Sequence, residues 1–95
     1  MEDRRYIKTS DIELATTLFT LGIPIDGIYA SDRLSPLGEP IMEFYLREDA
    51  RTLDLIRQYY ARKLQVEPMI LLLNRKEMVS RLKDEQRQAK NEKSS

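Results

Sequence analysis

Hydrophobic positions along the chain switch between a period of two and a period near 3.6, and most switches coincide with a cap or turn signal. In residues 1–9, Tyr6 and Lys8 alternate with Ile7, which predicts a short extended arm or edge strand. Ser10-Asp11-Ile12-Glu13 has the form of a capping box, with the Ser10 hydroxyl and the Glu13 carboxylate each accepting from the other's amide. Leu14, Ala15, Leu18, Phe19 and Leu21 then recur at helical spacing, with Glu13, Thr16, Thr17 and Thr20 on the other side. Gly22 suits a left-handed C-terminal cap and Pro24 follows, so the first helix spans residues 11–21. Ile23 and Ile25 restart the period of two, and Ile28 and Ala30 stay on their face if Gly27 sits at a bulge.

Residues 31–40 (SDRLSPLGEP) are dense in turn formers and read as a loop. In residues 41–47, Met42, Phe44 and Leu46 share one face of a strand, while Ile41, Glu43, Tyr45 and Arg47 share the other. The two strands make an antiparallel hairpin with a long tip, which needs a helix over its apolar face. Asp49 caps a second helix whose stripe is Leu53, Ile56, Tyr60 and Leu64, widened by Leu55 and Tyr59. That helix ends near Lys63, ahead of Pro68. Pro68 opens a third helix to about residue 88. Its stripe is Leu72, Val79 and Leu82, flanked by Met69 and Met78, and residues 89–95 form a frayed tail.

The pattern predicts one α+β domain over residues 1–95, ordered over about 6–88. A small antiparallel sheet packs against three helices in the order (β)-α-β-β-α-α. The expected core is Ile12, Leu14, Leu18, Phe19, Ile25, Ile28, Met42, Phe44, Leu46, Leu53, Ile56, Tyr60, Leu64, Leu72, Val79 and Leu82.

Composition removes much chemistry. The chain has no Cys and no His, so disulfides, thiolate sites and the commonest general base are excluded. Its three glycines (Gly22, Gly27 and Gly38) form no phosphate-binding loop. Glu48 and Asp49 have a sufficient role at a helix start, and Glu43 alternates outward on a strand. No catalytic, cofactor-binding or metal-ligating residue is therefore predicted, nor a small-molecule substrate, and the chain is expected not to be an enzyme. No run approaches the length of a membrane span, and a cytoplasmic location is expected.

Charge adds a second signal. The formal net charge is zero, but residues 1–56 hold six basic and eleven acidic side chains and residues 57–95 hold ten and five. The halves are thus −5 and +5, a pattern that suits intramolecular complementarity, head-to-tail packing of copies, or an anionic partner. Lys76, Lys83, Arg87 and Lys90 fall on one face of the third helix and, with Arg4 and Arg5 of the basic N-terminal arm, could track phosphates. Glu77, Asp84 and Glu85 blunt that field, so a solvated helix face is the simpler account. Tyr59 and Tyr60 between Arg57 and Arg62-Lys63 resemble a base-stacking mixture, but their spacing favours packing, with Tyr59 the freer. The leading expectation is a protein-interaction module. It would self-associate as a homo-oligomer through Met69, Leu72, Met78, Val79 and Leu82, more apolar surface than two short helices can cover.

The ordered succession YIKTSDIELATTLFTLGIPIDGI, IMEFYLRED and LIRQYYARKLQVEP, then a charged helix, resembles a family of small prokaryotic domains of unknown function. Members are often encoded in phage, plasmid or genomic-island neighbourhoods. The matching positions are Thr9, Ser10, Asp11, Ala15, Gly22, Phe44, Tyr60, Val66 and Pro68, within about residues 6–83; the longer loop at 31–40 and the polar C-terminal extension depart from the pattern. The resemblance implies fold and a phage or mobile-element context, and transfers no activity. In that context the alternative expectation is a small nucleic-acid-binding accessory protein.

Overall fold

A computed structural model describes residues 5–94 of the chain, with side chains through Ala89. The elements are β1 (Tyr6–Thr9), α1 (Ile12–Thr20), β2 (Ile25–Leu34), β3 (Pro40–Arg47), α2 (Ala50–Tyr60) and α3 (Pro68–Ser94). The molecule is α+β in the predicted order, with an antiparallel three-stranded sheet ordered β1-β3-β2.

β3 is central because it alone has a partner on both sides. Ile7 and Ile25 flank Leu46, and Thr9 and Ile28 flank Phe44, so cross-strand neighbours build one apolar face. Ile25 pairs with Leu46 but Gly27 with Tyr45, which leaves Asp26 as the extra residue of a bulge. That bulge returns Ile28 to the core face, as the alternation required, whereas Ala30 is exposed. The hairpin is longer than predicted. Its strands reach Leu34 and start again at Pro40, and Ser35 N–H donates to Glu39 O (2.7 Å) to close the tip. Residues 31–34 read as loop because this end of the hairpin has no buried face and hence no hydrophobic alternation.

α1 lies against the sheet and is enclosed by its neighbours. Five consecutive residues, Leu14, Ala15, Thr16, Thr17 and Leu18, are buried. Thr16 and Thr17, predicted on the polar side, are therefore inside, and Thr20 is half-buried. The Thr17 and Thr20 hydroxyls donate to the carbonyls of Glu13 and Thr16 (2.8 Å each), which offsets the cost of taking them out of water. Asn74 of α3 donates to Thr20 Oγ1 (3.0 Å) and ties the two helices together. The N-cap is Asp11 rather than Ser10, its carboxylate accepting from the amides of Glu13 and Leu14. Glu13 points away from a capping box and pairs with Arg75 (2.9 Å). At the other end Gly22 has φ 96°. Ile23 N–H donates to Leu18 O and Gly22 N–H to Phe19 O, the hydrogen bonds of a Schellman motif.

α2 starts at the predicted cap. Asp49 accepts from Thr52 N–H (2.8 Å), and that amide holds its carboxyl below the ordinary value of 3.8. The inward stripe is rotated from the expected one: Thr52, Leu55, Ile56 and Tyr59 face the core, while Leu53 and Tyr60 are exposed. The helix ends at Tyr60, short of Lys63, because Arg62 takes a left-handed conformation. Burial raises the Tyr59 hydroxyl above its ordinary 10.0, and the Asp11 and Glu13 carboxylates push it the same way. Tyr59, expected to be the freer tyrosine, is the packed one.

α3 opens with Glu67, whose carboxylate accepts from Ile70 N–H (2.6 Å), and Pro68 sits at the first helical position. It continues to Ser94, beyond the predicted end near 88 and through the stretch read as a frayed tail. Its inward stripe runs through Leu71, Asn74, Met78, Leu82, Glu85, Gln86 and Ala89. Met78 is fully buried at its centre, whereas Leu72, placed in the expected core, is exposed. The finished core is Leu14, Ala15, Leu18, Ile23, Ile25, Ile28, Met42, Phe44, Leu46 and Met78. No described helix is long and apolar enough to cross a membrane.

Candidate functional site

Two surfaces stand out from the body of the fold. The first is the start of α3. Met69, Ile70, Leu72 and Leu73 are 63%, 50%, 56% and 62% exposed. Positions 69, 72, 73 and 76 share one helix face, and Met69, Leu72, Leu73, Arg75 and Lys76 line a shallow hollow of about 290 Å³. These turns are apolar but uncovered because the fold engages α3 only from about Leu71 and Asn74 onward. A helix segment that is apolar over so wide an arc is ordinarily buried.

The expected self-association residues divide on this basis. Met69 and Leu72 lie on the exposed patch. Met78 is inside the core and unavailable to a partner, Leu82 packs against the core, and Val79 is half-buried. Ile70 and Leu73 complete the patch and were missed, although the unbroken apolar run Met69 to Leu73 carried the signal.

Lys76, Lys83 and Arg87 are all exposed along the outer side of α3, with Ser80 and Asp84 between them. Lys90 lies outside the residues whose side chains are described, and Arg4 outside the described residues altogether. Of the N-terminal arm's two arginines only Arg5 is described, and it lies at the opposite end of β3 from the Arg87 end of this stripe. Arg5 O accepts from Glu48 N–H (2.9 Å) beside the end of β3, whereas Leu82 and Gln86 flank Pro40 and Met42 at its start. The strand's length, about 23 Å at about 3.3 Å per residue, separates the two.

The second surface is the outer face of the sheet. Register puts Lys8 and Gly27 on either side of Tyr45, Tyr6 opposite Arg47, and Tyr29 opposite Glu43. The Tyr29 ring meets the Tyr45 ring edge-on (centroids 4.9 Å, 77°), and Tyr6 leans toward Tyr45 from the other side (6.1 Å, 47°). Tyr29 also folds over Gly27, where any Cβ would collide with the ring. Lys8 Nζ sits 5.2 Å from the Tyr45 ring centre, and Arg33 pairs with Glu43 at 3.8 Å. The sequence showed Tyr6, Lys8 and Tyr45 pointing outward; the place of Tyr29 beside them depends on the bulge at Asp26.

Among the described residues, no group of three or more carboxylates converges where a metal ion could sit. No protein-family model matches the chain, and no curated protein or solved structure matches it.

Proposed function

We propose that this chain is a non-enzymatic protein-interaction module that self-associates through the first turns of α3. The observation that carries the reading is the four-residue apolar patch Met69, Ile70, Leu72 and Leu73, each at least half exposed. Covering a leucine-sized side chain is worth about 1.5–3 kcal/mol, so a partner that shields this patch gains several such increments. A second copy is the occupant favoured here. Of the two cations bordering the patch, Arg75 is already paired with Glu13 of its own molecule, so two copies can bring their apolar residues together with only Lys76 to keep at the rim. A two-fold arrangement lets each α3 start serve as both donor and receiver of the same contact.

Sedimentation or light scattering from about 1 µM to about 1 mM tests the proposal. The expected result is a concentration-dependent doubling of mass, with the double substitution Leu72→Glu plus Leu73→Glu weakening association roughly 100-fold. A single monomeric species throughout overturns it.

A second reading is favoured by the outward alignment of Lys76, Lys83 and Arg87: nucleic-acid binding along α3, in the phage or mobile-element setting that the family resemblance implies. It is the weaker reading because Glu77 and Asp84 are exposed beside the stripe and Arg5 lies at the opposite end of β3 from Arg87. Its mark would be an oligonucleotide complex lost with rising salt and weakened by Lys83→Glu plus Arg87→Glu.

A further inference from the structure

The outer sheet face contains a hollow of about 260 Å³ lined by Tyr6, Asp26, Tyr29 and Tyr45. We infer that this hollow is a binding site for an alkylated ammonium group, held by the faces of three tyrosine rings and the carboxylate of Asp26.

Aromatic rings carry negative charge on their faces and so attract cations, most strongly where several rings surround one charge. Three rings border this hollow together. Tyr29 stands nearly perpendicular to Tyr45, and Tyr6 is tilted against it, so the three present walls rather than a flat stack. A stacking surface for bases would want rings laid open and parallel to the sheet.

Asp26 supplies the formal charge. It is the inserted residue of the β2 bulge, exposed, and it lines the hollow beside the rings. Among the described residues, no cationic side chain lines the hollow. Residues 1–56, which include the whole sheet, carry a net charge of −5, the wrong sign for a polyanion and the right one for a cation. The fold also gives an internal precedent, since the Lys8 ammonium already rests 5.2 Å from the Tyr45 ring centre.

Two features of the local sequence maintain the walls. Gly27 leaves room for Tyr29 to lie across the strand, and the bulge brings Tyr29 to the outer face at the position opposite Glu43. An alkylated ammonium suits such a site better than a bare one. Its methyl groups cover ring surface, and less water must be stripped from the cation.

The test uses the full chain and two-dimensional NMR at constant ionic strength, with three probes. Choline and a short trimethyllysine peptide carry the cation on a free molecule and on a protein, respectively. The third, 3,3-dimethylbutanol, has the shape of choline without the charge. Shifts at Tyr6, Asp26, Tyr29 and Tyr45 with choline or the peptide, but not with the alcohol, are expected, and the tighter of the two cations identifies the source. Asp26→Asn, at an exposed position, should weaken binding about fivefold, and Tyr45→Leu about tenfold. Lys8→Met should strengthen it, because it removes a competing cation; the same substitution would weaken a nucleic-acid complex. Equal shifts with the alcohol, no shifts with either cation, or weaker binding in Lys8→Met overturns the assignment. Because the self-association patch lies on α3, the outcome is independent of the oligomer test.

Discussion

Arg62 holds a conformation that side chains avoid. Its φ of 58° closes α2, with Arg62 N–H donating to Tyr59 O (3.0 Å) and Lys63 N–H to Gln58 O (2.9 Å). The same two bonds close α1, where Gly22 occupies the left-handed position at no steric cost. The left-handed region costs a non-glycine residue about 1–2 kcal/mol, and glycine gives back about 0.5–1 in unfolded-chain entropy. Arg62→Gly should therefore stabilise the protein by about 0.5–1 kcal/mol, read as a higher midpoint in urea unfolding without a changed slope. An unchanged or lower midpoint would show that Arg62 makes compensating contacts. This residue also explains a sequence misreading. Nothing in Ala61-Arg62-Lys63 signals a cap, so the sequence pattern carries the helix on to Lys63, whereas Gly22 and Asp49 mark their helix ends plainly. Thr16 was illegible for a related reason. Its hydroxyl is buried with no hydrogen-bond partner among the described residues, a placement that polarity alone argues against.

At the scale of elements, the existence and order of the helices and strands were legible, and the rotation of two helices was not. β3 could be read correctly because Met42, Phe44 and Leu46 alternate with no exception, and each is buried. In α2 a threonine occupies the inward stripe at position 52, and in α3 Asn74, Glu85 and Gln86 do so. Each polar residue on the core side shifts the apparent centre of the apolar arc toward solvent. The fit then favoured Leu53 and Tyr60 in one helix and Leu72 in the other, all of which are exposed. The rotation of α3 has an energetic consequence. Met78→Ala should cost about 2–5 kcal/mol, because it empties a fully buried site in the core. Leu72→Ala should stay within about 0.5 kcal/mol in the monomer. Urea melts of the two variants at low concentration check both, and the reverse ordering would restore the sequence-derived stripe. The same rotation makes Met69, Ile70, Leu72 and Leu73 a surface, so an error in helix phase was also an error in locating the candidate site.

For the whole molecule, the fold's interior and its exposed apolar surface meet along one helix. α3 is anchored from Asn74 onward by the bond to Thr20 and by Met78 and Leu82 packing in the core, while its first turns expose Met69, Ile70, Leu72 and Leu73. Amides in such a segment open without global unfolding, whereas those of α1 and of central β3 open only when the core does. Hydrogen exchange should therefore divide the molecule into a slow body and a faster α3 start at low protein concentration. Self-association would slow every opening that must first release the partner. Raising the concentration should slow exchange for residues 70–75, whose local opening breaks the contact, and slow α1 and β3 as well, because they open only with the core. The hairpin tip from Ser35 to Glu39, which opens locally away from the contact, should be unchanged. The Leu72→Glu plus Leu73→Glu variant should lose this concentration dependence while keeping the slow body. Slowing at the hairpin tip in place of residues 70–75 would put the contact on the sheet rather than at the α3 start. Fast exchange at residues 70–75 at every concentration would leave the apolar patch without a second copy to cover it, and the interaction would have to be sought in a different partner.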